Sequence, residues 1–232
     1  MPEAGLAPLI AIVGSDGSGK STVAGDILKE LRAGGRRVEL CYLGLGTGDL
    51  GNRIKQWPMI GRLIESFLSK KAGQARDENA RIPGLLTALV IYRYSLVRKR
   101  RFMRMLELRR QGVTVLTDRY PQVEVPGYYD GPGLSAARAE GWAIARLAAK
   151  ERAIYQWMAS YRPDLIVRLN VDADTALARK PDHARALIER KVAITPTLSF
   201  NGAHIVDLDA TRPYAEVLAD ARATIAAALR GK

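Results

Sequence analysis

The sequence predicts an α/β fold in three layers, an about five-stranded parallel sheet with helices on both faces. Three observations predict it. Short apolar runs alternate with helix-like stretches throughout the chain, which favours parallel strands joined by helical crossovers. Two of the runs, LIAIV at 9–13 and LIVRLNV at 165–171, are nearly all apolar, as strands covered on both faces are. A glycine-rich segment, GSDGSGKST, joins the first run to the first helical stretch.

The elements follow in order. After the strand at 9–13, residues 21–32 read as a helix that Gly34 and Gly35 stop. Residues 38–43 form the second strand, closed by the glycine-rich GLGTGDLG. Residues 54–71 read as a helix, and the polar stretch 72–82 as an exposed loop. Pro83 and Gly84 open a long helix over about 85–111, which Gly112 ends. The third strand, 113–117, is followed by Asp118, Arg119 and Tyr120. Residues 121–133 hold three prolines and three glycines and read as a structured loop. Ser135 is a candidate cap for an alanine-rich helix running to about 160. The strand at 165–171 leads to two short helical pieces split at Pro181, then a strand at 204–208 and a closing helix at 213–229. No repeat or interdomain linker is present, so residues 1–232 read as one domain.

Composition narrows the function. The chain has 36 Lys and Arg against 24 Asp and Glu, a net charge of +12. Such a balance favours an anionic partner: a phosphorylated small molecule, a nucleic acid or an acidic membrane. No apolar run reaches the ~18 residues of a membrane span. Cys41 is alone, and His183 and His204 are far apart, so no cysteine or histidine metal cluster is expected. A cytoplasmic setting is expected. The oligomeric state is left open, a homodimer included.

Residues 14–21 fit G-x-x-x-x-G-K-[ST] at every fixed position. Glycines at such spacing let successive N–H groups turn toward one anion. Gly14, Ser15, Asp16, Gly17, Ser18, Gly19, Lys20, Ser21 and Thr22 are the candidate contacts to a nucleotide triphosphate. Lys20 is expected as an exposed charge reaching the β/γ-phosphates, Ser21 as a ligand of Mg²⁺, and the following helix as a positive end facing the same anion. ATP and Mg²⁺ are the expected cofactors.

Ligands of a parallel sheet sit at the carboxyl ends of its strands. Asp118, ending the third strand, is therefore expected beside this loop, holding Mg²⁺ or accepting a proton from the attacking group. Arg119 offers paired donors to an acceptor phosphate or to the transferring group. Asp16 is unfavourable beside bound phosphates and is expected to meet the acceptor or the magnesium shell.

Two basic segments stand out. Residues 98–110 hold seven basic residues and one acidic residue. A solvated helix face is the simpler reading, and a nucleic-acid or membrane site the alternative. Arg93 shares a helical face with Leu86, Leu89, Val90 and Val97, so it is expected to be half-buried and to seek an anion.

DGSGKST at 16–22, DRY at 118–120, PDLIVRLNVDADTALARK at 163–180 and DLDATRP at 207–213 together resemble the thymidylate kinase family of nucleoside-monophosphate kinases. The resemblance covers nearly the whole chain in outline. It implies a P-loop kinase fold and ATP-dependent phosphoryl transfer to dTMP or another nucleoside monophosphate. It gives Asp118 and Arg119 the roles above and brings Asp16 to the acceptor sugar. It also implies an acceptor-phosphate arginine on the long helix, at Arg93 or, by spacing, Arg98. A basic lid is implied over about 179–195, with Arg179, Lys180, Arg185, Arg190 and Lys191 as its charges and Arg179 and Arg185 as the catalytic candidates. Thr211, Arg212 and Pro213 fall in the adenine-contacting segment.

The likeness fails on the acceptor side. Where thymidylate kinases carry a REPGGT-like segment, this chain has GLGTGDLGNR at 44–53. Where they carry a Tyr-Gln pair, it has PQVEVPGYYDGPG at 121–133. Thymidylate kinase-like proteins with altered acceptor loops occur among proteins tied to surface-polysaccharide synthesis, so a kinase for a sugar, phosphosugar or glycan end is the first alternative. A nucleotide-dependent nucleic-acid-binding protein using residues 98–110 is the alternative from another class.

Overall fold

The computed structural model describes residues 5–44, 84–128, 130–136 and 138–230. The helix expected at 54–71, the loop at 72–82 and most of the glycine-rich segment at 44–53 lie outside these residues.

Five parallel strands form one sheet in the order β2-β3-β1-β4-β5. They are β1 (Leu9–Gly14), β2 (Val38–Leu40), β3 (Thr114–Thr117), β4 (Leu165–Asn170) and β5 (Ile205–Asp209). The helices are α1 (Lys20–Ala33), α2 (Gly84–Arg110), α3 (Trp142–Ser160), α4 (Ala173–Arg179), α5 (Arg185–Ile194) and α6 (Tyr214–Arg230). The expected three-layer fold is therefore present.

The period-2 pleat of β1 explains the layers. Ile10 and Ile12 face a core with Val23 and Ile27 of α1 and Val217 and Ile225 of α6. Leu9, Ala11 and Val13 face a second core with Phe102 and Met105 of α2 and Tyr155 and Met158 of α3. All five of these β1 side chains are 4% exposed or less, which is why the run carries no polar residue. Phe102 meets Tyr120, Trp157 and Tyr161 edge-on at 5.5–6.0 Å, a geometry worth ~0.5–1.5 kcal/mol per pair beyond burial.

Two boundaries differ from expectation. The second strand is only three residues long, at the sheet edge. Ser135 does not cap α3; it lies in a separate 3₁₀ turn, Leu134–Ala136. Gly141, at φ 85° and ψ 155°, breaks the chain before Trp142, where α3 begins. An alanine-rich composition continues through that point, but only glycine takes this backbone readily.

The order of strands places a site. From β1 the chain moves to β2 and β3 on one side, then to β4 and β5 on the other. The crevice at the carboxyl end of β1 is the switch point where such sheets bind ligands.

Candidate functional site: the cleft at the carboxyl end of β1

The loop from β1 to α1 wraps the amino end of α1. Gly17 has φ +83°, and a Cβ there would meet the Ala176 carbonyl oxygen of α4 at 2.6 Å, so the loop can pack under α4 only as glycine. Gly19, at φ +84°, precedes α1 without a side-chain cap, and a Cβ there would point into open space. The helix thus presents its positive end to the cleft. The Ser15 and Ser18 hydroxyls are buried without hydrogen-bond partners. Lys20 is largely buried rather than exposed, at 11%, and donates to the Ser15 carbonyl at 3.2 Å. Burial, together with Arg119, pushes its pKa below the usual lysine value; Asp16, Asp118 and Asp130 oppose this only in part. A lysine so held welcomes a further negative charge.

Asp118 lies beside this loop because β3 pairs with β1, Thr117 standing opposite Ala11. The residue is 7% exposed. Ser21 Oγ donates to its Oδ2 at 3.2 Å, while Oδ1 has no hydrogen-bond partner. Gly14, Asp16, Lys20, Asp118, Arg119 and Asp130 line a cleft, with Tyr120, Phe200 and Lys191 completing its wall.

Asp16 pairs with Lys191 of α5 and stands 3.8 Å from Lys20. Burial raises its pKa, but Lys191, Lys20 and Arg119 outweigh that and hold the carboxyl below the usual value. Arg119 faces Asp130 at 3.5 Å and lies over the Tyr42 ring. Asp130 first, then Tyr42 and Asp16, holds its guanidinium charged against the opposing effect of burial.

The remaining candidates divide. Arg179 Nη1 donates to the Gly17 carbonyl at 3.2 Å, directly on the loop. Arg185 is turned away: it pairs with Asp174 at 2.8 Å and Glu189 at 3.5 Å, is exposed, and does not line the cleft. Lys191, one turn and a half further along α5, is the cation that enters. Arg93 is exposed, against the expectation of a half-buried side chain. The buried face of α2 instead carries Thr87, Ala88, Ser95, Arg98 and Phe102, and Arg98 is 1% exposed. Thr211, Arg212 and Pro213 connect β5 to α6 on the same edge of the sheet, away from the cleft lining. Asp209 holds Thr211, and Arg212 pairs with Glu216 and Asp220.

The basic run on α2 is not one solvated face. Arg98 bonds Asp130 and Tyr155, Lys99 lies over Trp157, and Arg101 bonds the Gly44 carbonyl. Arg109 bonds the Ala7 carbonyl and Asp164, and Arg110 pairs with Glu107. Among the described residues no helix is long and apolar enough to cross a membrane, and no group of three or more His, Cys, Asp or Glu is placed to hold a metal.

No family model matches the chain. It is 47% identical over 223 residues to YghS of Escherichia coli strain K12, an ATP-binding protein by its name, and the alignment covers 95% of this chain and 93% of YghS. The chain belongs to the YghS family. YghR of the same strain, also named an ATP-binding protein, is 41% identical over 218 residues, covering 94% of this chain and 86% of YghR. A thymidylate kinase of Xanthomonas campestris pv. campestris strain B100 is 29% identical over 229 residues, covering 95% of this chain and 84% of that enzyme.

Asp130 is the charged cleft residue that the sequence did not reveal, and Phe200 is a second residue of the wall without a sequence signal. Asp130 sits in a proline- and glycine-rich loop with no motif around it. Its one sequence signal is an acidic residue between tyrosines and glycines, which reads equally well as a turn. The place of Lys191 depended on how α5 folds back over the loop.

Proposed function

We propose that this protein is an ATP-dependent phosphotransferase that moves the γ-phosphoryl group to a small acceptor held in the cleft. The carrying observation is the partly buried Asp118 carboxylate beside the phosphate loop, hydrogen-bonded to Ser21 through one oxygen and unpartnered at the other. The names of the YghS and YghR relatives and the likeness to thymidylate kinase support ATP as the donor. The loop amides at 14–22 and Lys20 cradle the donor phosphates, and Arg179 stabilises charge from α4. In this reading Thr211, Arg212 and Pro213, in the turn after β5, contact the adenine of the donor.

The residues fit Mg²⁺. A hydroxyl and a carboxylate are the hard oxygen donors it takes, and an orphaned buried carboxylate oxygen invites a cation. Ser21 and Asp118 would hold the ion, which when bound neutralises charge on the phosphoryl oxygens. In the transfer an acceptor oxygen attacks the γ-phosphorus. The new P–O bond forms as the bond to the β,γ-bridging oxygen breaks, and ADP leaves with that electron pair. Any proton on the attacking oxygen passes to Asp118. Residues 179–195 act as a lid, with Lys191 rather than Arg185 reaching the acceptor side through Asp16.

The test is ADP release with MgATP across nucleoside monophosphates, sugars and sugar phosphates, for the wild type and Lys20→Ala. The reading expects acceptor-dependent release that the substitution abolishes while the thermal melt persists, since Lys20 lines the cleft and its charge is one that burial penalises. An unchanged turnover in Lys20→Ala refutes it.

A further inference from the structure

Two guanidinium groups converge on Asp130 of the cleft wall: Arg119, which also lines the cleft, and Arg98, which is buried behind it. Two neighbouring guanidiniums make an anion site. Here the chain itself provides the anion. Asp130 Oδ1 pairs with Arg98, which is 1% exposed, and Asp130 Oδ2 lies 3.5 Å from Arg119 Nη1. Arg98 Nη1 also donates to the Asp130 carbonyl at 2.7 Å and to Tyr155 Oη at 3.0 Å. Asp130 is therefore held through both its side chain and its backbone.

Its loop is built to keep it there. Asp130 has φ 62°, a backbone that non-glycine residues rarely adopt. Phe200, on the same cleft, has φ 47°. Strained residues persist only where their surroundings over-determine them, and they cluster at functional sites. Buried Gln122 donates to the Val125 and Tyr128 carbonyls at 2.9 and 2.6 Å. Buried Glu151 of α3 accepts from the Gly133 and Leu134 amides at 3.1 and 2.6 Å and from Ser95 of α2 at 2.6 Å. From the same loop, Glu124 accepts from the Ser199 and Asn201 amides on either side of Phe200 at 2.7 and 3.3 Å.

We propose that Asp130 is a specificity-determining residue, filling the anion place formed by Arg98 and Arg119 so that the acceptor is a neutral polyhydroxyl compound and not a phosphomonoester. The inference rests on the phosphotransferase reading and sharpens its acceptor. A phosphate brought to the two arginines meets a carboxylate already seated between them, and like charges repel it. A neutral polyol meets complementary groups: Asp16, Asp118 and Asp130 on the cleft wall accept from hydroxyls. One hydroxyl oxygen then forms the bond to the γ-phosphorus as the bond to the β,γ-bridging oxygen breaks. ADP takes that electron pair, and the hydroxyl proton passes to Asp118.

The experiment titrates dTMP and glucose 6-phosphate by calorimetry into the wild type, Asp130→Asn and Asp130→Ala, with and without a saturating non-hydrolysable ATP analogue and Mg²⁺. Asparagine tolerates the left-handed backbone and keeps an oxygen for Arg98, so Asp130→Asn is the milder variant, and a thermal melt checks that each variant is folded. In the wild type both phosphomonoesters should bind no tighter than ~10 mM. Removing the charge should tighten binding at least ~10-fold, and adding Arg119→Met to Asp130→Asn should cancel the gain. Wild-type binding below ~1 mM, or variants that bind no tighter than the wild type, overturns the role of Asp130. So does ADP release driven by a phosphomonoester in the wild type. Failure of the ATP analogue to bind overturns the phosphotransferase reading instead, while the titrations without nucleotide still judge Asp130.

Discussion

Asp118→Asn separates chemistry from folding. The substitution changes no volume and keeps a carbonyl oxygen for the Ser21 hydroxyl, now 3.2 Å from Oδ2. It removes one negative charge from a residue that is 7% exposed and whose Oδ1 has no partner. On the stability side, a charged hydrogen bond of ~1.5–3 kcal/mol becomes a neutral one of ~0.5–1.5. Relief of a buried charge offsets that loss, so the net change should stay within ~1 kcal/mol in either direction. On the catalytic side the loss should be large. Groups that move protons or hold the metal contribute ~10²–10⁴-fold, and a hundredfold fall corresponds to ~2.7 kcal/mol of barrier. The assay pairs ADP-release kinetics with urea unfolding and with binding of a non-hydrolysable ATP analogue. Turnover should fall at least ~100-fold with stability and nucleotide affinity nearly unchanged. Turnover within ~3-fold of the wild type, or a stability loss above ~3 kcal/mol, would show that Asp118 is structural and refute the reasoning.

Arg98→Met should destabilise by ~3 kcal/mol, because it strands the Asp130 carboxylate and the Tyr155 hydroxyl; for a chain of this size the melt should fall by ~6–12 °C, and a loss under ~1 kcal/mol contradicts the buried ion pair. The lowered pKa of Asp16 means that its contribution is present above the unfolded value near 3.8 and is lost as pH falls through the lower folded value. Lys191→Met should therefore shift the acid end of the stability profile to higher pH, and coincident profiles of the two proteins between about pH 2.5 and 5 would remove Lys191 from that role. Burial, with Glu39, pushes the Cys41 thiol up to about 11 against a weaker opposing pull from Arg104. At pH 8 it should react with a disulfide reagent ~100-fold slower than a free thiol, and a rate equal to that of free cysteine contradicts its placement.

The loop between β1 and α1 was legible because its pattern is local. A phosphate cradle needs glycines, a lysine and a hydroxyl at fixed spacing across one strand–loop–helix unit, so residues 14–22 announce it without reference to the rest of the chain. The parallel sheet was legible for a related reason: burial on both faces leaves LIAIV no polar residue, and Asp118 follows from the rule that strand ends converge. Arg93 and Arg98 mark the limit of that reasoning. Helical spacing groups residues on a face but does not say which face the sheet covers, and packing against α3 turned Arg98 inward and left Arg93 exposed. The same holds for Arg185, whose neighbours Asp174 and Glu189 draw it away from the cleft, and for Lys191, which α5 carries to Asp16 across 175 residues of sequence. Asp130 depended most on tertiary structure. Its partners Arg98 and Arg119 come from the middle of α2 and from just beyond the end of β3, and its loop conformation is imposed by Gln122 and Glu151. A charge is read from one residue, but a counter-ion is a relation between elements, and only the folded chain brings those elements within a few ångströms.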